Sequence, residues 1–394
     1  MSTKIEFHVV QSFPPANLNR DDTNMPKDCE FGGVRRARIS SQCIKRAIRL
    51  HPDFEKYTEV LPSVRTKKLS SKLVEVLSQK VENHELAVNA ANVFAAELLS
   101  GMDKEGIEKG KTRVAFYFSE KEVIDFSETI VKNWEEIEKI LSKLNVEKHL
   151  EGKFRDAKTR KFNKFIKSYT KTFKKQHRLE PDIALFGRML ALHPDLSMKA
   201  SCQVAHAIST HRINMEMDFF TAVDDLQTDE ETGADMMGTT GFNSATFYRY
   251  AAIDWGQLTH NLGDDIELAQ KTVAGFTSAL VKAIPTGKQN AFAAQTPPTL
   301  VLVIVREDGG AWSLANAFEK PISNTHGESI LCGSIKALDK HWDRLNSVYG
   351  DPDKPVKPFL LLLDDECELT YLKDAQVPSL SKLIEAVQHS LPKE

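Results

Sequence analysis

The chain has 394 residues, 41% hydrophobic and 27% charged, with 52 basic against 55 acidic residues and a net charge of −3. That length and apolar content exclude global disorder and suit two domains, or one large domain with insertions. The balanced charge excludes a uniformly basic coat, so any binding to nucleic acid must be local. Cys29, Cys43, Cys202, Cys332 and Cys367 form no CxxC pair, which reads as reduced thiols in a cytoplasmic protein. The apolar runs near 300–305 and 359–363 are too short to span a bilayer, and no secretory leader is expected before Lys4.

Residues 4 to 13 predict a first strand, because Ile5, Phe7 and Val9 nearly alternate with Glu6, His8 and Val10. His8 reads as a core or strand-surface histidine, since no second metal-type residue stands at useful spacing. The stretch 17–49 then opens on the polar segment Asn19, Arg20, Asp21, Asp22 and passes through Gly32 and Gly33. Arg35, Arg36, Arg38, Lys45, Arg46 and Arg49 follow, with no acidic residue from Phe31 to Arg49. A helix is predicted from Ser40 or Ser41, whose hydroxyl can accept from the free amides of a first turn. Ile44, Ala47 and Ile48 share one face of it, and Lys45 and Arg49, four apart, share another. The reading is a strand, a glycine-containing loop and a helix with its N-terminus and basic face pointing the same way. Such a surface suits a phosphate backbone. A solvated helix with ordinary surface charges is the competing reading.

From Pro52 to Glu180 the chain reads as charge-rich helix, amphipathic over 67–81 and 85–99 and broken by Gly101, Gly106 and Gly110. Between Lys153 and Arg178 stand eleven basic residues and one acid, Asp156. On a helix, Arg160, Lys164, Lys167, Lys171, Lys174 and Arg178 fall within an arc of roughly 80°. Phe162, Phe165, Ile166, Tyr169 and Phe173 fall opposite. A solvated face would ordinarily interleave both signs, so a basic stripe over an aromatic anchor is expected. At 187–189 a Gly-Arg-Met turn is a plausible ligand contact, although Met189 on pattern alone is core filler.

Residues 212–250 predict a hairpin: Ile213, Met215, Met217 and Phe219 alternate with Asn214, Glu216, Asp218 and Phe220. No Lys or Arg occurs between Arg212 and Arg249, so the hairpin should meet nucleic acid through Phe219, Phe220 and Thr221 against bases rather than phosphates. A helix is predicted over 264–284, ended by Pro285, Thr286 and Gly287, with Lys288, Gln289 and Asn290 in a polar loop. TLVLVIVRE then reads as a central strand. The order of elements suggests an α+β fold with a split βαβ sheet. A further helix (329–348), the strand FLLLL and a helix from Ser379 close the chain.

Paired aspartates (Asp21, Asp22, Asp224, Asp225) invite a metal-nuclease reading. Neighbours on a strand point to opposite faces, however, and no HExxH or P-loop accompanies them. His206 and His211, five apart, have poor helical metal spacing. No catalytic site, metal or cofactor is expected.

At NLNRDDTNMPKD, FGGVRRARISSQCIKRA, FFTAVDDLQ and SLANAFEKP the chain closely resembles the backbone subunit of the type I-E CRISPR surveillance complex Cascade, the CasC family. The resemblance covers the first fifty residues and most of 181–320, and is weak in the helical insertion and the tail. It implies a hand-shaped protein. Its RNA-recognition-type, ferredoxin-like palm would be 1–51, 181–211 and 251–394, its helical fingers 52–180 and its hairpin thumb 212–250. Copies would polymerise along one CRISPR RNA without catalysis and present guide bases to target DNA in antiviral defence. The other partners implied are the large subunit, the small subunit, the guide 5′-end cap subunit and the guide-processing endoribonuclease. Asn19, Arg20, Asp22, Lys27, Arg38, Ser40, Gln42, Lys45, Arg46 and Arg49 would lie on the guide. Met189 and Phe220 would bracket a displaced base, with Phe219 and Thr221 beside it, and Lys288 and Gln289 would close on the RNA. A filament that accepts any guide can read only backbone and shape. Related backbone subunits cut target RNA with a loop aspartate, which makes Asp22 the residue of a competing ribonuclease reading. Lys164, Lys167, Lys171 and Lys174 are expected to touch target-DNA phosphates.

Overall fold

The computed structural model describes residues 3–99, 101–103, 109–150, 164, 166–167, 180–222, 236–307, 309–324, 327–364 and 366–393. The chain divides into two compact units, one of residues 1–59, 202–257 and 266–394, the other of residues 60–201 and 258–265.

The first unit is built on an antiparallel sheet. In chain order the strands are β1 (Lys4–Ala16), β2 (Asp28–Phe31), β3 (Val34–Ile39), β6 (Cys202–Val204), β7 (Ala207–Ser209), β8 (Glu216–Ala222), β9 (Met236–Asp254), β10 (Leu300–Arg306) and β11 (Val356–Leu362). They run in the order β11-β10-β1-β9-β7-β3-β2, with β6 and β8 also pairing β9. Every residue of β10 is buried, as its unbroken apolar run demands.

Alternation along β1 sends Ile5, Phe7 and Val9 to one face, where Phe7 meets Phe276 of the helix Ile266–Lys282 edge-on at 5.1 Å. Burying Phe7 completely contributes about 1.5–3 kcal/mol. Helix α2 (Pro52–Thr58) lies along the same helix, close enough that a Cβ at Gly275 would sit 3.1 Å from the Phe54 carbonyl. On the opposite face Val10, Tyr248 and Leu302 pack beneath Leu314, Phe318, Ile335 and Leu338, the last two from the helix Ile330–Tyr349. Both sheet faces are therefore covered. His8 is core, fully buried and 2.9 Å from the Tyr248 hydroxyl.

Between β2 and β3 only Gly32 and Gly33 remain, both at positive φ (60° and 72°). That is the two-residue turn that closes a hairpin. The expected strand, loop and helix are thus a hairpin followed by helix α1 (Ser41–Arg49). Arg36 is fully buried in that hairpin and donates to the carbonyls of Phe31, Ser209, Phe318 and Glu319 at 2.8–3.2 Å. It thereby ties the FGGVRRAR and NAFEKP motifs together.

The second unit is mainly helical. Phe94 of the helix His84–Leu98 meets Phe126 of the helix Glu120–Lys132 at 5.3 Å, over a core that includes Leu73, Ile137 and Ile166. Ser119 and Glu122 form a reciprocal capping box at the start of Glu120–Lys132. A two-stranded sheet, β4 (Val64–Thr66) with β5 (Phe116–Phe118), stands within the stretch the sequence reads as mostly helical.

The structure assigns two segments to the compact units and corrects one expectation. Residues 52–59 belong to the first unit, because α2 packs on Ile266–Lys282 rather than on the helical insertion. Residues 181–201 belong to the second unit, where buried Asp182 accepts from the Ser63 amide and hydroxyl (2.8 Å each) and the Tyr117 hydroxyl (2.6 Å). Cys332 and Cys367 form a disulfide rather than two free thiols, since the fold brings positions 35 residues apart to a Cα separation of 5.2 Å. Among the described residues no helix is long and apolar enough to cross a membrane.

Candidate nucleic-acid interface

Helix α1 forms where the sequence places it. Ser40 is extended (φ −68°, ψ 145°), and its hydroxyl accepts from the Cys43 amide at 3.3 Å. Ile44 and Ile48 are buried against the sheet unit. The preceding loop docks on this N-terminus: Asn19 Oδ1 accepts from the Ser40 amide at 2.8 Å. Asp21 shapes the loop by accepting from the Thr23 hydroxyl and the Thr23 and Met25 amides, which together hold its carboxyl below the usual range. The hydroxyl of Ser40 and the carboxamide oxygen of Asn19 are thus engaged within the protein.

A third segment completes the site. Helix Ile266–Lys282 ends before Pro285, and Gly287 comes so close to the Leu18 carbonyl that a Cβ there would sit 2.3 Å from it. Lys288 follows at φ 51°, and Gln289 begins a four-residue helix. Gln289 donates back to the Pro285 carbonyl at 3.0 Å, so its side chain shapes the turn. Asn17 donates to the Gly241 carbonyl at 2.8 Å, and Phe242 meets Phe292 at 5.7 Å. The root of the β8–β9 hairpin is thereby fixed to both loops.

Between them lies a cleft of about 360 Å³, lined by Leu18 to Asp21, Asn24, Cys43, Arg46, Ala47 and Pro285 to Gly287. Arg20, Asp22, Gln42 and Arg46 are exposed, whereas Lys27, Arg38, Lys45, Arg49, Lys288 and Gln289 are half-buried. Arg46 faces the cleft. Lys45 instead lies near buried Cys202 of β6, whose thiol burial pushes up to about 12 against the pull of that ammonium. Arg35 pairs with Asp28, and Arg38 donates to the Asp28 carbonyl at 3.0 Å. Of the basic residues of α1, Arg46 is the one that lines the cleft, together with Arg20 of the preceding loop.

His206 has poor metal spacing in the sequence, and in the structure its Nδ1 accepts from the Ser41 amide at 3.1 Å at the start of α1. Only the β7 pairing reveals that placement. Burial, then Arg38 and Lys27, hold its imidazole below the usual histidine value. His211 is lowered too, chiefly by burial, and its Nε2 accepts from the Thr246 amide at 3.2 Å. Folded-state values below the unfolded one make stability decline as pH falls from about 6.5 through the folded pKa. The melting temperature should therefore drop between about pH 7.5 and about pH 5.5. The double variant His206→Gln/His211→Gln should show a shallower drop, and an equal slope would remove both histidines from the account.

On β8, Phe219 is 62% and Phe220 41% exposed, and Thr221 is exposed. The Phe220 ring lies across Gly238 of β9, where a Cβ would come within 2.5 Å of it. In the second unit Met189 is 88% exposed, against the core-filler reading. Its neighbour Arg188 is buried, pairs with Glu122 at 2.8 Å and bridges to Met198, which anchors the turn. Of the basic stripe, Lys164 and Lys167 are exposed and helical beside buried Ile166. Lys171, Lys174, Phe162, Phe165, Tyr169, Phe173 and Asp224–Asp225 lie outside the described residues.

The fold and cleft define a mixed α/β protein on an antiparallel sheet with a localised basic cleft. A family model described as CT1975-like protein matches residues 5–386, and the chain belongs to that family. Over 98% of its length it is similar to a chain of a "CRISPR RNA-guided surveillance complex, pre-nicking", at 28% identity, a TM-score of 0.81 and 99% coverage of that chain. A chain of a "CRISPR RNA-guided surveillance complex" is similar at 25% identity and a TM-score of 0.71, with 98% and 100% of the two chains covered. None of the curated proteins compared matches. The likeness to Cascade backbone subunits read from the motifs is borne out, and it extends across the helical insertion and the tail.

Proposed function

We propose that this chain is a non-catalytic backbone subunit of a Cascade-type complex, which lines up in copies along one CRISPR RNA and presents guide bases to target DNA. The observation that carries this reading is the cleft where the Asn19–Arg20 loop, the Arg46 side of α1 and the Pro285–Gly287 turn converge. It offers the cations Arg20 and Arg46 on one polar cleft, which suits a sequence-neutral grip on phosphates. Strand order β10-β1-β9-β7, with α1 after β1 and Ile266–Lys282 after β9, supports an RNA-recognition-type palm. Because both sheet faces are covered, the guide runs at the loop end of the sheet and not across its face. The partners are then guide RNA, target DNA, further copies and the other Cascade subunits.

Expressed with those subunits, the protein should co-purify with RNA of uniform length, seen as absorbance at 260 nm and by end-to-end sequencing. Incubating the complex with complementary RNA and Mg²⁺ should yield no cuts. Regular cuts that vanish in Asp22→Ala would replace this reading with the ribonuclease one.

The hairpin acts as a wedge through Phe219 and Phe220. Base–aromatic stacking is worth about 1–3 kcal/mol per base. Phe220→Ala should therefore blur the periodic chemical reactivity of guide bases while leaving the melting temperature unchanged. An aperiodic pattern in the parent complex would end the wedge idea.

A further inference from the structure

Away from the cleft, Cys332, Cys367 and Asp364 stand together with their donor atoms within 4.8 Å of one another. We infer that these three side chains form a zinc-class metal site in the reduced protein, and that the disulfide is its oxidised form. Two sulfurs and one carboxylate oxygen are a donor set that zinc accepts, with a fourth, tetrahedral position left to water. Asp364 Oδ2 lies 3.6 Å from Cys367 Sγ. Tetrahedral Zn–S bonds of about 2.3 Å need sulfurs roughly 3.8 Å apart, a separation that side-chain rotation supplies at a Cα distance of 5.2 Å.

The site does not depend on the disulfide to hold it together. Cys332 sits in the first turn of the helix Ile330–Tyr349, its amide bonded to Ser329 Oγ at 3.1 Å. Two turns on, buried Asp339 of that helix accepts from the amides of Thr370, Tyr371 and Leu372, two of them at 2.8 and 2.9 Å, which pins the stretch beyond Cys367. Asp364 in turn accepts from the Glu366 amide at 3.1 Å. Reduction therefore leaves two thiols and a carboxylate already convergent. A divalent ion with two thiolates and a carboxylate has a net charge of −1. The first turn of the helix holds no acidic residue, and the positive end of the helix dipole favours that charge.

The chemistry balances. Two equivalents of a small thiol take the disulfide to two Cys–SH groups and leave as their own disulfide. The metal then binds and two protons leave. Peroxide takes two electrons from the dithiolate and two protons from solvent, which leaves the disulfide, two waters and the free ion.

The full chain, reduced and freed of metal by a chelator, is titrated with Co²⁺ under nitrogen. One equivalent should raise thiolate-to-cobalt charge-transfer absorption with tetrahedral d–d bands. Zinc should displace it and peroxide should abolish it. Cys332→Ser and Cys367→Ser should each lose the charge-transfer band, and Asp364→Asn should weaken cobalt binding by about tenfold or more. No such band in the reduced parent protein overturns the inference without recourse to variants. So does a band that persists in either serine variant, or unchanged affinity in Asp364→Asn.

Discussion

The double variant Arg20→Glu/Arg46→Glu should lose co-purifying RNA, whereas Lys45→Glu/Arg49→Glu should keep more of it. Both residues of the first pair are exposed and line the cleft, and no other charged residue of α1 does. Hydrogen bonds to charged groups contribute about 1.5–3 kcal/mol each. Losing two should weaken binding by roughly 10²- to 10⁴-fold, before any repulsion from the new carboxylates. The slope of log K against log salt should also fall by about 0.7 for each phosphate contact removed from a single strand. Equal RNA content in the two double variants would mean that the guide does not use this cleft.

Arg36→Ala should be the most destabilising change in the basic run, costing at least about 3 kcal/mol in denaturant unfolding. The reason is that four carbonyls, two of them in buried bonds, lose this donor at once, and two separated motifs lose their link. Burial already pushes the Arg36 guanidinium below its ordinary value. Lysine cannot replace the forked donor, so Arg36→Lys should recover little. Next door, the Arg35 side chain is 61% exposed in a surface pair with Asp28, and Arg35→Ala should cost under about 1 kcal/mol. Comparable losses at the two positions would refute the structural role of Arg36.

That contrast marks where sequence reading stops. Arg35, Arg36 and Arg38 look alike in a list, and only the pairing of β2 with β3 sends Arg36 inward. Elements with a strong period were legible: β1, β10, Ile266–Lys282, and α1 with its serine cap. The Gly32-Gly33 turn was visible as residues but was read as an open loop, because the short flanking strands give little alternation. His206 was judged only against metal spacing, and its use as a helix-end acceptor depends on a long-range pairing. No local pattern could reveal a disulfide between positions 35 apart. Residues 181–201 followed the motifs around them in sequence, while the buried carboxylate of Asp182 ties them to the helical unit.

Strand β9 runs 19 residues from the hairpin into the sheet, roughly 60 Å of continuous ribbon. It exchanges partners, from β8 at Phe242 to β1 at Asn243, beside a register shift of β1 between Phe13 and Ala16. The hairpin and the sheet therefore share one continuous strand rather than being joined by a loop. Because side chains alternate along it, losing one residue between Gly238 and Asn243 would shift its register against Phe219 and Phe220 of β8. Lengthening or shortening this strand between hairpin and sheet therefore keeps every side chain on its own face only when two residues are added or removed.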